Sequence, residues 1–110
     1  MKFLGLLKPK EALLALPPAV GRQLLEASVA GMNKLKKEGK FLEGYYSPAG
    51  LGAVILNYNN VDEWLKDQNL IPILNYYYQE VYPLADMDEA LKNNLEALKA
   101  AENMMGGAPR

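Results

Sequence analysis

Ile-Pro-Ile-Leu-Asn-Tyr-Tyr-Tyr-Gln-Glu-Val-Tyr, residues 71–82, is the stretch on which the fold turns. Its side chains are large on both alternating sides and read as one long strand. Leu74, Tyr76, Tyr78 and Tyr82 fall on one face, and Ile73, Tyr77 and Val81 on the other. Pro72 is compatible with a strand only near its start or at a sheet edge. A lone two-layer domain leaves one sheet face in water, so a strand apolar on both faces calls for a further covering layer.

Upstream, Asn60 and Glu63 form a capping pair for a short helix over residues 61–68, with ~1 kcal/mol attributable to the cap residue. Residues 41–46 and 51–58 read as strands joined through Ser47, Pro48, Ala49 and Gly50 into a hairpin. Val20, Leu24, Ala27, Gly31 and Leu35 recur at helical spacing over 18–38, with Pro18 suited to the first turn and Gly39 to the stop. Residues 1–7 make a short apolar strand, and one or two helical turns over 11–16 end at Pro17 and Pro18. Downstream, Asp86 with Glu89 caps a last helix over 87–104, whose Leu91, Leu95 and Leu98, with Met105 at its end, form a narrow stripe. Residues 1–105 read as a single domain and 106–110 as a flexible tail.

The order β, α, β, β, α, β plus a terminal helix is that of a ferredoxin-like α+β fold, an antiparallel sheet with both helices on one face. The strand over 51–58 is also apolar on both sides at Val54, Ile55 and Leu56. The expectation is therefore a homodimer in which a second sheet covers the first, a dimeric α+β barrel burying ~1,200–2,000 Å² with the terminal helix across the joint. Larger assemblies would be built from that dimer.

The chain of 110 residues carries a net charge of −1, so no global field recruits nucleic acid or an acidic membrane. Lys34, Lys36, Lys37 and Lys40 complement the dipole at a helix end rather than mark an RNA surface. With no His and no Cys, thiolate chemistry and the usual zinc, copper and haem ligation are excluded. No cofactor or metal is expected, an all-oxygen Mg²⁺ or Ca²⁺ site being the one metal chemistry left open. The first ten residues lack the features of a signal peptide and no segment reaches membrane-spanning length, which gives a cytoplasmic reading.

Five collinear runs carry a family likeness: Lys37-Glu38-Gly39-Lys40-Phe41, Ala53-Val54-Ile55-Leu56, Asp62-Glu63-Trp64-Leu65, Leu70-Ile71-Pro72 and Glu80-Val81-Tyr82-Pro83-Leu84. In this order they resemble the muconolactone isomerase family over roughly residues 24–84. The resemblance implies a dimeric α+β-barrel protein of the cytoplasm and, for the enzymes, a proton shift in an unsaturated lactone. It also marks a departure. Where the enzymes carry a histidine, an aromatic and a basic residue on the second strand, this chain has Glu43, Tyr45 and Tyr46. Fold transfers across such a change more readily than activity does.

A lactone isomerase needs a base to move one proton and donors for the developing enolate oxygen. Glu43 is the candidate base, and Tyr45 or Tyr46 the donor. All seven tyrosines lie between Tyr45 and Tyr82, so a polar-tipped aromatic pocket for a small organic molecule is expected, with Asn75, Tyr76 and Tyr78 as ligand contacts. The competing reading leaves Glu43 at a solvated strand edge and sets the tyrosines across a dimer interface, in a non-catalytic oligomer that binds a ligand or a protein.

Overall fold

The computed structural model describes residues 1–105. They form β1 (Lys2–Pro9), α1 (Glu11–Leu14), α2 (Pro18–Lys37), β2 (Phe41–Tyr46), β3 (Gly52–Asn57), α3 (Val61–Asp67), β4 (Tyr77–Leu84) and α4 (Met87–Met104). The tail expected at 106–110 lies outside the described residues. The strands make one antiparallel sheet in the order β2-β3-β1-β4, the ferredoxin-like arrangement.

The sequence signals act where the chain turns. Asn60 Oδ1 accepts the Glu63 N–H at 3.0 Å, and Asp86 Oδ2 accepts that of Glu89 at 3.1 Å. Gly39 adopts φ 73°, and the Lys40 N–H reaches back to the Leu35 carbonyl at 2.9 Å, closing α2 with a Schellman bond. Gly50, at φ 90°, donates to the Ser47 carbonyl at 2.8 Å and closes the hairpin.

The long strand expected over 71–82 is not one element. Gln68–Leu70 and Pro72–Tyr76 are 3-10 turns, and the strand begins only at Tyr77. Pro72 fixes φ and removes an amide donor, while the Ile71 and Leu74 N–H groups bond to the carbonyls of Gln68 and Ile71 at 2.9 and 3.0 Å. Leu74 consequently drops into the core rather than alternating with Tyr78 and Tyr82, and Tyr76 stands outside the sheet. Ile73 and Val81 pack against the core.

The inward face of α2 is also turned from the expected one. Val20 and Ala27 are exposed, whereas Leu24, Ser28, Gly31 and Leu35 face in. Ser28 is buried because both capacities of its hydroxyl are used. It donates to the Leu24 carbonyl at 2.6 Å and accepts the Ile73 N–H at 3.0 Å. One turn on, Gly31 lets the helix seat on residue 70. The core beneath joins Phe3, Leu35, Phe41, Leu56, Trp64 and Leu74.

Tyr58 donates to Asp67 Oδ2 at 3.0 Å, and Lys40 Nζ lies 3.2 Å from the same oxygen, so β3, α3 and the α2–β2 corner share one carboxylate. Burial first and the Asp67 bond second push the Tyr58 hydroxyl well up, keeping it protonated.

A Cβ at Gly31 would lie 1.7 Å from the Leu70 carbonyl oxygen, whereas one at Gly21 would meet nothing within 4 Å. Gly31→Ala is expected to destabilise the fold by ~3 kcal/mol or more, and Gly21→Ala to stabilise it by ~0.5–1 kcal/mol. Urea unfolding of both variants reads the difference, and equal midpoints would refute the seating.

Candidate functional site

Cross-strand partners share a face, so the register assigns every strand side chain to one side of the sheet. One side faces the helices. There Gly44, Val54, Gly5 and Val81 form one row and Tyr46, Gly52, Leu7 and Gln79 the next. The other side is open and carries Glu43, Ile55, Leu4 and Tyr82 in one row, with Tyr45, Ala53, Leu6 and Glu80 beside it.

Between the sheet and α2 lies a cavity of about 360 Å³. Leu7, Gly44, Gly52 and Val54 floor it, and Leu25, Val29 and Met32 of α2 roof it. Trp64, Ile71 and Leu74 close its inner end, while the exposed Tyr45 and Tyr46 border it from edge strand β2. Two glycines set its floor height. A Cβ at Gly44 would come within 3.0 Å of the Phe41 ring, and one at Gly52 within 3.3 Å of Leu7.

Few polar atoms reach this space. The Ser28 hydroxyl is used twice within the fold and the Tyr45 hydroxyl is bonded to Glu43, which leaves Tyr46, Tyr77 and Lys36. Trp64 is 2% exposed, and its indole N–H has no hydrogen-bond partner among the described residues. Such a donor costs ~1–3 kcal/mol until an acceptor meets it. Burial, then the neighbouring Tyr46 hydroxyl, pushes the Tyr77 hydroxyl up to about 12, so it remains a proton donor. Lys36 Nζ stands 5.7 Å from the centre of the Phe41 ring. Among the described residues no carboxylate lines the cavity, so its inventory is apolar walls with donors.

The site residues expected from sequence divide between the two faces. Tyr46 borders the cavity. Glu43 lies on the open face, where its Oε2 accepts the Tyr45 hydroxyl at 3.0 Å, and that bond raises the Tyr45 pKa. Tyr45 therefore touches both the cavity rim and Glu43. Asn75, Tyr76 and Tyr78 are not among the cavity residues. The Asn75 carbonyl accepts from Lys10 Nζ at 3.3 Å, the Tyr76 carbonyl accepts the Lys10 N–H at 2.8 Å, and Lys10 Nζ stands 5.2 Å from the Tyr78 ring centre. Tyr78 also lines a shallow groove of about 320 Å³ on the open face with Leu6, Lys8 and Glu80.

Trp64, Tyr77 and Lys36 were not among the site residues expected from sequence. The available signal was the lone tryptophan on a short, well-capped helix. That its N–H lacks a partner becomes visible only once the packing around it is known.

No protein-family model matches the sequence, and no curated protein matches it. Among solved structures, the chain is similar to 5-chloro-2-hydroxyhydroquinone dehydrochlorinase from Burkholderia phenoliruptrix AC1100, determined in complex with 2,5-dihydroxybenzoquinone. The TM-score is 0.62 at 17% identity, over 81% of this chain and 98% of that one. Likeness at this identity shows a shared fold. No helix among the described residues is long and apolar enough to cross a membrane.

Proposed function

We propose that the protein binds a small, flat organic molecule bearing hydrogen-bond acceptors in the cavity between α2 and the sheet, as a muconolactone isomerase-like member of the dimeric α+β-barrel proteins. The observation that carries this reading is the largely apolar cavity of about 360 Å³ whose lining includes the hydrogen-bond donors Tyr46, Tyr77 and Lys36. That volume lies within the usual range of small-molecule sites, ~300–1,000 Å³. A ring fits between the glycine floor and the Leu25–Met32 roof. Its oxygens meet Tyr46, Tyr77 and the Lys36 ammonium. The planar, oxygen-bearing ligand in the dehydrochlorinase structure supports a ligand of this class.

A catalytic form of the reading rests on Tyr45, which borders the cavity and donates to Glu43 on the open face. Glu43 acts through it: the Tyr45 oxygen takes a proton from a carbon next to the carbonyl of an unsaturated lactone or acid, breaking the C–H bond, as its own hydroxyl proton passes to Glu43. The electron pair shifts through the conjugated system onto the carbonyl oxygen, held by the Tyr46 hydroxyl, and a proton returns by the same route to the far carbon. No oxidant or cofactor enters the balance.

The open face fits a second copy of this chain. Its centre, Leu4, Leu6, Ala53 and Ile55, is apolar, and its rim carries Lys2, Lys8, Glu43 and Glu80. Equal numbers of both signs allow a two-fold partner to set lysine against glutamate, with Tyr78 and Tyr82 in the joint.

The protein has one tryptophan, and it lines the cavity, so its fluorescence reports occupancy directly. Hydroxyquinones and unsaturated lactone acids are expected to quench it, and Tyr77→Phe to weaken binding about tenfold by calorimetry. Undiminished affinity in Tyr77→Phe would remove that hydroxyl from the site. Glu43→Gln is expected to abolish any isomerisation while leaving the far-UV spectrum unchanged, and a variant that turns over normally would exclude Glu43 as base. Tyr78→Ala is expected to weaken self-association at least tenfold, and a sedimentation profile identical to wild type on dilution would count against the sheet-to-sheet joint.

A further inference from the structure

Helix α4 buries none of its residues, although Met87, Leu91, Leu95, Leu98 and Met105 are all more than half exposed. It stands off the body. The Cα radius of gyration is 19.8 Å, against ~13 Å for a compact domain of this length, and the long dimension is 70 Å beside 30 and 22 Å. An isolated helix of this length is marginal in water, so an apolar stripe along it needs a surface to cover it.

The same chain has an open apolar groove that its own α4 does not fill. It runs along α2 and is lined by Pro18, Gly21, Leu25 and Val29, with Arg22 and Glu26 on its flank. Gly21, Leu25 and Val29 lie at i, i+4 and i+8, as do Met87, Leu91 and Leu95 on α4. Two such ridges interdigitate in the commonest mode of helix packing, crossing at ~50°. Gly21 admits the close approach, because nothing stands within 4 Å of where its Cβ would be. Both flanks carry charges of both signs. Asp88, Lys92 and Glu96 follow the α4 ridge in alternating sign, and Arg22 and Glu26, paired at 2.8 Å, follow that of α2.

We propose that α4 is an arm whose Met87-Leu91-Leu95 ridge packs into the α2 groove of a second copy of this chain. Only Ala85 and Asp86 separate β4 from α4, and over that short link the helix leads away from its own body. Two arms in two grooves, with Met87, Leu91 and Leu95 against Pro18, Leu25 and Val29 in each, bury roughly 700–1,400 Å² at ~60–120 Å² for each large apolar side chain, reaching the lower end of the range of stable dimers. Leu25 and Val29 line the cavity as well as the groove, so the arm of the second copy backs the wall of the ligand site. The contact stands independently of whether the cavity holds a ligand or supports catalysis.

The natural sequence contains no cysteine, so engineered thiols report without background. Full-length Leu91→Cys and full-length Leu25→Cys, mixed and mildly oxidised, are expected to give a disulfide-linked heterodimer as the main cross-linked species. Adding Gly21→Arg to the second chain, which fills the groove with a side chain the monomer tolerates, is expected to lower that yield at least tenfold with the circular dichroism unchanged. Cross-linking mainly of either variant to itself, a disulfide formed within one chain carrying both cysteines, no cross-link at all, or a yield indifferent to Gly21→Arg would each overturn the proposal.

Discussion

The seating of α2 on residues 70–73 is the contact on which the rest depends. Gly31 brings the helix backbone against the Leu70 carbonyl, and Ser28 accepts the Ile73 N–H while donating to its own helix. Together they hold the chain in 3-10 turns where its side-chain alternation favours a strand. Three consequences follow from that arrest. Ile71 and Leu74 enter the core, β4 starts at Tyr77, and the gap between α2 and the β2 end of the sheet stays open as the cavity. A helix with alanine at 31 could not approach closely enough for Ser28 to make its bond, so the two residues act as one device.

Much of the fold was legible because its signals are local. Asn60, Asp86 and Gly39 act within a single turn of chain, the first two accepting the Glu63 and Glu89 N–H groups and the third taking positive φ where a helix stop was expected. Residues 71–76 were misread because an alternating apolar pattern describes a strand or a buried irregular segment equally well, and the decisive partners, Ser28 and Gly31, lie some forty residues away. Ser28 was itself passed over, since burial is inferred from apolarity and a doubly bonded hydroxyl defeats that inference. Val20 and Ala27 were placed inward for the same reason.

The site was less legible than the fold. Tyr46 and the Tyr45–Glu43 neighbourhood follow from position on β2, but sequence did not reveal that a bulge between Phe41 and Glu43 resets which side chains face the helices. Through that reset Gly44, not Glu43, lies beneath α2. Alternation along one strand thus separates a carboxylate from the cavity while leaving a tyrosine in touch with both. Trp64 shows the opposite limit: a residue whose placement in the core is ordinary, yet whose N–H has no partner among the described residues.

The cavity floor is made of absent atoms. Gly44 and Gly52 leave space that the Phe41 ring and Leu7 define from the side, and a single added methyl at either position would shallow the chamber while the sheet hydrogen bonds remained in place. The thickness of molecule that the proposed site would admit is therefore set by two positions with no functional group of their own. Divergence in ligand preference could proceed through one-carbon changes at these backbone sites, leaving Trp64, Tyr46 and Tyr77 untouched. Comparing only the polar residues of two such proteins would report them as identical in specificity when they were not.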